Sequence, residues 1–115
     1  MEKTVFYLKT CGTNKKIMAE LNLEDWTHRE IKSQAISETE LETMHQLAGS
    51  YDALFSKRSQ EIKKRAIDVK NLSEEDKKQL ILSHYSFLKR PVFIDDNVIF
   101  IGSDKKTVEA VSSRL

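Results

Sequence analysis

The chain has 115 residues, 39% of them hydrophobic and 32% charged, with only three glycines and one proline, a composition that suits one ordered, packed domain and excludes a disordered chain. Nineteen basic residues balance eighteen acidic ones for a net charge of +1, so no overall field draws the chain to nucleic acid or to a membrane surface, and any anion site must be local. The longest apolar stretches, Val5–Leu8 and Val98–Ile101, are strand-sized and far short of the ~20 residues that span a bilayer.

Met1–Lys9 contains no apolar core of signal-peptide length. The lone cysteine, Cys11, has no partner within the chain for a disulfide, and a lone thiol fits a reducing compartment. The reading therefore predicts a cytoplasmic protein without membrane association.

Thr4–Leu8 is apolar on both alternating faces, the pattern of a central strand covered on two sides. Thr13 is the expected cap of the following helix, on which Asn14, Ile17, Met18 and Leu21 form one stripe while Lys15, Lys16 and Glu20 lie off it. A second strand is expected over Trp26–Ile31. Strand, helix and strand within about 30 residues make a βαβ unit, with the two strands parallel.

Ser37-Glu38-Thr39-Glu40 is an S-x-x-E capping box ahead of Leu41, Met44 and Leu47 or Ala48, and Gly49 is placed to stop that helix. Tyr51–Phe55 reads as a compact apolar connector. Ser73, followed by Glu74, Glu75 and Asp76, starts another helix with acids in its first turn and with Leu80 and Ile81 facing inward. From Ser37 to Phe87 the pattern is helical, with no strand. Strands return at Pro91–Ile94 and Val98–Ile101, joined by Asp95-Asp96-Asn97 as a tight antiparallel hairpin. Ser103 is the expected cap of the last helix, which carries Val108, Val111 and Leu115 on one face.

Cys11 follows a buried strand and precedes a helix, in Thr10-Cys11-Gly12-Thr13-Asn14. Free N–H groups at a helix start attract negative charge, so this placement favours a reactive thiol over a small buried hydrophobe, and the amides of Gly12, Thr13 and Asn14 are candidates to cradle an anion. Bringing a cysteine from ~8.5 down to ~6 takes about 3.4 kcal/mol, whereas a helix end supplies ~0.3 to 1 and at most ~2 kcal/mol. A cation is therefore required as well, and Arg58, Arg90, Lys9 and Lys16 are the candidates.

Two common thiol motifs fail by counting. A C-x5-R phosphate loop would need arginine where Ile17 stands, and a C-x-x-C dithiol would need a second cysteine at Asn14. What remains is monothiol chemistry, in which an external thiol resolves the oxidised cysteine. His28, His45 and His84 are too scattered for a metal site, and none is predicted. The basic run from Lys57 to Arg65 is interleaved with Glu61 and reads as a solvated helix face rather than a nucleic-acid contact.

Over nearly its full length the chain resembles the ArsC/Spx family, which includes glutaredoxin-dependent arsenate reductases and the Spx transcriptional regulators. The resemblance is carried by Tyr7–Lys16 with Cys11-Gly12-Thr13, by Leu54-Phe55-Ser56-Lys57-Arg58-Ser59, and most specifically by Phe87-Leu88-Lys89-Arg90-Pro91-Val92. It implies an α/β, thioredoxin-like fold with a mixed four-stranded sheet in the order β-α-β, helical insertion, β-β-α. It implies one domain over residues 1–115, with thioredoxin-like parts at about 1–36 and 88–115 and the insertion at about 37–87. By resemblance, Cys11 matches the nucleophilic thiol, Arg58 and Arg90 match basic residues around the oxyanion, and Pro91 matches the fold's cis-proline. Glutathione or a glutaredoxin is the implied reductant, with no bound cofactor and a small oxyanion as the substrate class.

Two positions depart from the arsenate reductases. Their further arginine after the final hairpin is replaced by Lys105 and Lys106, and their histidine shortly before the cysteine is absent from Tyr7-Leu8-Lys9-Thr10. The alternative that the resemblance offers is a non-catalytic, Spx-like regulatory module that docks on RNA polymerase. Asn14 occupies the second position of the C-x-x-C switch that Spx proteins commonly carry.

Overall fold

Strand β1 (Thr4–Tyr7) is the second strand of a four-stranded sheet, between β2 (Thr27–Glu30) and β3 (Val92–Asp95), with β4 (Val98–Ile101) outside β3. The computed structural model describes residues 1–115. β1 pairs parallel with β2 and antiparallel with β3, and β3 pairs antiparallel with β4, so the sheet is mixed as expected. β1 earns its central place by composition: Val5 and Phe6, which point to opposite faces, are both fully buried. The edge strand β2 has no buried residue, and its Thr-His-Arg-Glu sequence suits a position with one solvated side.

Helix α1 (Gly12–Glu20) crosses between β1 and β2, and α5 (Lys105–Ser112) follows the β3–β4 hairpin. Both lie on the sheet face that carries Val5 and Phe93, where Ile17, Leu21, Leu23, Trp26 and Val111 complete one core. Trp26 meets Phe93 edge to face, with ring centroids 6.0 Å apart. The hairpin turns at Asp96, whose φ of 58° is the left-handed conformation that Asp and Asn tolerate in tight turns.

By its contacts the chain forms two compact units, residues 1–34 with 90–115, and residues 35–89. The second holds α2 (Glu38–Ala48), α3 (Gln60–Lys64), α4 (Glu74–Ser83) and two short 3-10 turns, Val69–Asn71 and Tyr85–Phe87. Its helix starts are local chemistry. The Ser37 hydroxyl accepts the Glu40 N–H at 3.0 Å while the Glu40 carboxylate accepts the Ser37 N–H at 2.9 Å, and Ser73 and Asp76 repeat the arrangement at the start of α4. Gly49 ends α2 with φ 91°. A short antiparallel bridge joins Phe55 to Leu88, with Ser56 N–H donating to the Phe87 carbonyl at 2.7 Å and Lys89 N–H to the Leu54 carbonyl at 2.8 Å. The family-like stretches Leu54–Ser59 and Phe87–Lys89 are thereby tied together.

Several local expectations are corrected. Thr13 does not cap α1, because the helix already begins at Gly12 and Cys11 is its N-cap. Asp104, not Ser103, caps α5, accepting the Thr107 N–H at 3.2 Å. Leu115 lies beyond the end of α5 and is 49% exposed, so it is not part of the helix's buried face. Leu80 is only partly covered, whereas Ile81 is buried. α3, capped by Ser59, carries part of the basic face expected from Lys57 to Arg65, with Lys63 and Lys64 exposed on it and only Gln60–Lys64 helical.

Candidate functional site

The chain leaves β1 through a β-turn from Leu8 to Cys11, closed by Cys11 N–H donating to the Leu8 carbonyl at 3.1 Å. The Cys11 carbonyl then accepts the Lys15 N–H at 3.1 Å, the first bond of α1. The cysteine therefore stands at the N-cap with extended backbone angles, φ −87° and ψ 116°, and its residue is partly exposed. No side chain caps this helix and no acid stands in its first turn. The other four α-helices each have a side-chain cap, from Ser37, Ser59, Ser73 and Asp104. The first N–H groups of α1 have no acceptor within the helix, and they sit beside a sulfur.

Asn14 does more than its place on the apolar stripe suggested. Its side chain is buried, at 1% exposure, and both ends are used. Oδ1 accepts the Leu8 N–H at 2.9 Å, and Nδ2 lies 3.5 Å from Cys11 Sγ as a donor. Such a donor matches negative charge on the sulfur. Gly12 and Thr13 are exposed, and a Cβ built on Gly12 would meet no atom within 4 Å. The glycine leaves open space over the helix start. Lys9, Lys15 and Lys16 are exposed around it.

The sheet gathers further residues at this end. The antiparallel register sets Val92 opposite Phe6 and Ile101 opposite Val92, so the start of β3 and the end of β4 flank the end of β1. Arg90 and Pro91 therefore lie at the strand end from which the Cys11 turn departs. The Arg90–Pro91 bond is cis, Pro91 is buried, and its carbonyl accepts the Gly102 N–H at 2.9 Å. Arg90 is half-buried. Arg58 belongs to the other unit, exposed in the turn before α3, where its N–H donates to Ser56 Oγ at 3.4 Å.

One charged group at this sheet end was not singled out from the sequence. Glu30, paired in register with Tyr7 at the ends of β2 and β1, accepts the Lys9 N–H at 2.7 Å, the Lys32 N–H at 3.0 Å and the Ser33 N–H at 2.6 Å. Burial works against its charge, but these bonds prevail and hold the carboxyl below the ordinary glutamate range.

The histidines have structural places. His28 lies 3.0 Å from the Leu23 carbonyl, His45 stacks on Tyr51, and His84 caps the Tyr85–Phe87 turn.

The ArsC family model matches residues 6–111. The chain belongs to the ArsC family. Among solved structures, it is similar to an arsenate reductase related protein from Brucella melitensis, at 25% identity and TM-score 0.71, over 96% of this chain and 93% of that one. An ArsC family related protein from Bacteroides fragilis shares the fold at 19% identity and TM-score 0.76, over 96% and 98% of the two chains. An arsenate reductase from Vibrio cholerae does so at 17% identity and TM-score 0.72, over all of both chains. No curated protein sequence matches the chain. The fold is thus thioredoxin-like and of the arsenate reductase type. No helix is long and apolar enough to cross a membrane.

Proposed function

We propose that this ArsC family protein is a monothiol oxidoreductase in which Cys11 is the nucleophile, and that glutathione or a glutaredoxin is its external reductant. The observation that carries the reading is the start of α1. It alone among the α-helices has no side-chain cap or first-turn acid to occupy its amides, and its N-cap is a partly exposed thiol with a buried amide donor 3.5 Å away. The other four α-helices are capped by Ser or Asp.

In this reading the Cys11 thiolate attacks a small tetrahedral oxyanion or a disulfide sulfur. The N–H groups of Gly12, Thr13 and Asn14 donate to the bound anion, and Arg90 supplies positive charge that a helix end lacks; the family resemblance alone assigns Arg58 the same role. For arsenate the electrons balance as follows. Cys11 and glutathione together give up two electrons and become a mixed disulfide, arsenate becomes arsenite, and one oxygen leaves as water. A glutaredoxin then removes the glutathione from Cys11 by thiol–disulfide exchange. Lys105 stands near the position of the arginine common to arsenate reductases and contributes a point charge rather than a two-pronged grip.

The test is turnover in a mixture of arsenate, glutathione and glutaredoxin, compared with Cys11→Ser. Arsenite formation, or glutaredoxin-coupled reduction of a glutathione mixed disulfide, that disappears in Cys11→Ser is expected. Absence of Cys11-dependent turnover in both assays would overturn the enzyme and favour the regulatory, RNA polymerase-docking module.

A further inference from the structure

We propose that Glu30 is a positioning residue for Cys11, acting through the backbone N–H of Lys9; the inference rests on the role given to Cys11 above. Lys9 is the second residue of the Leu8–Cys11 turn, a place where the turn itself offers its N–H no acceptor. Glu30 supplies one at 2.7 Å from the end of the neighbouring parallel strand. The preceding amide, Leu8 N–H, is taken by Asn14 at 2.9 Å. Two consecutive amides of the segment that delivers Cys11 to the helix start are therefore fixed by side chains from two different elements, one from α1 and one from β2.

The carboxylate is suited to this in a way that its amide counterpart is not. One oxygen, Oε2, serves Lys9, and the other, Oε1, serves Lys32 and Ser33. Glutamine has the same shape but a single carbonyl oxygen. In Glu30→Gln that oxygen can hold the Lys32–Ser33 turn or the Lys9 amide, and the two donors of the former outweigh the one of the latter. The substitution therefore unties the Cys11 turn while leaving the exit from β2 in place. The Cys11 turn then samples other conformations, and the sulfur spends less time at the N-cap, close to Asn14 Nδ2.

The experiment measures Cys11 alkylation by iodoacetamide on the folded full chain, with amide hydrogen exchange followed in parallel by NMR. Glu30→Gln is expected to slow alkylation about five- to tenfold, as loss of a hydrogen bond to a charged group allows, and to raise exchange at Lys9 while the amides of Phe6 and Ile94 stay protected. Lys9→Pro deletes the donor itself at a turn position that proline favours, and Lys9→Ala separates the loss of the ammonium from that of the N–H. Relative to Lys9→Ala, Lys9→Pro is expected to slow alkylation as Glu30→Gln does, and adding Glu30→Gln to Lys9→Pro is expected to slow it no further. A purely stabilising Glu30 would give additive effects. An unchanged Cys11 rate in Glu30→Gln, or additive rates in the double variant, overturns the proposal. Failure of the redox reading shows differently, as a wild-type Cys11 that takes up no glutathione although its alkylation still responds to Glu30→Gln.

Discussion

Asn14 Nδ2 points a donor at Cys11 Sγ from 3.5 Å while Asn14 Oδ1 holds the Leu8 N–H at 2.9 Å. One buried amide thus joins the sulfur to the end of the central strand, three residues away along the first turn of α1. The same residue excludes C-x-x-C chemistry and serves the single thiol in its place.

Asn14→Ala and Asn14→Asp separate these two jobs. Alanine leaves the buried Leu8 N–H without its acceptor, which costs about 1 to 3 kcal/mol of stability. Aspartate keeps the acceptor but replaces the donor with a like charge beside the sulfur. Urea unfolding is expected to show the larger loss for Asn14→Ala, and iodoacetamide kinetics the larger loss for Asn14→Asp.

Gly12→Ala predicts a split between stability and function. The position is exposed, its added Cβ meets nothing within 4 Å, and it lies inside α1 without positive φ. Alanine is the better helix former by up to about 1 kcal/mol, so the thermal midpoint is expected to stay level or rise. The methyl group nevertheless occupies space over the helix start, and glutathione mixed-disulfide formation is expected to fall several-fold.

Arg90→Ala and Arg58→Ala are each expected to slow reaction with anionic substrates more than reaction with neutral iodoacetamide. Loss of a charge-assisted contact costs ~1.5 to 3 kcal/mol, or roughly ten- to a hundredfold. Equal slowing of the neutral and anionic reactions would remove these arginines from the anion site.

Stability is expected to fall on both sides of neutrality. Three backbone N–H groups hold Glu30 below the ordinary range against its burial, Lys77 lowers Asp52, Ser73 lowers Asp76 and Thr107 lowers Asp104. For these groups the unfolded chain binds protons more readily. Their stabilisation is complete above the unfolded values of about 4 and is lost as pH falls through the lower folded values. Tyr51 is shifted the other way, by burial and then by its hydrogen bond to Glu42. Its contribution is complete below the unfolded value of about 10 and is lost as pH rises beyond it. Urea midpoints measured from pH 2 to 11 check both limbs, and Asp76→Asn is expected to flatten part of the acid one.

What the sequence discloses follows the range of the interactions. The Ser37–Glu40 box is legible because all its partners lie within four residues, and β1 is legible because burial on both faces needs an unbroken apolar run. The cap of α1 is not, since Thr13 has the better side chain and only the turn closed by Leu8 and Cys11 shows that the helix begins earlier. Ser103 and Asp104 are adjacent residues of capping type, and Asp104 prevails by also accepting the Thr107 hydroxyl at 2.6 Å. Glu30 acts on a residue 21 positions away, and no local pattern marks it. The placement of Cys11 between a strand and a helix was legible, whereas the use of both ends of the Asn14 side chain required the fold.

Intact-mass spectrometry after treatment with oxidised glutathione tests the central claim most directly. The account predicts that the native protein gains one glutathione, that Cys11→Ser gains none, and that a glutaredoxin with reduced glutathione removes the adduct. No adduct on the native chain, together with full modification of the urea-unfolded chain, would contradict it by showing that the fold withholds the thiol.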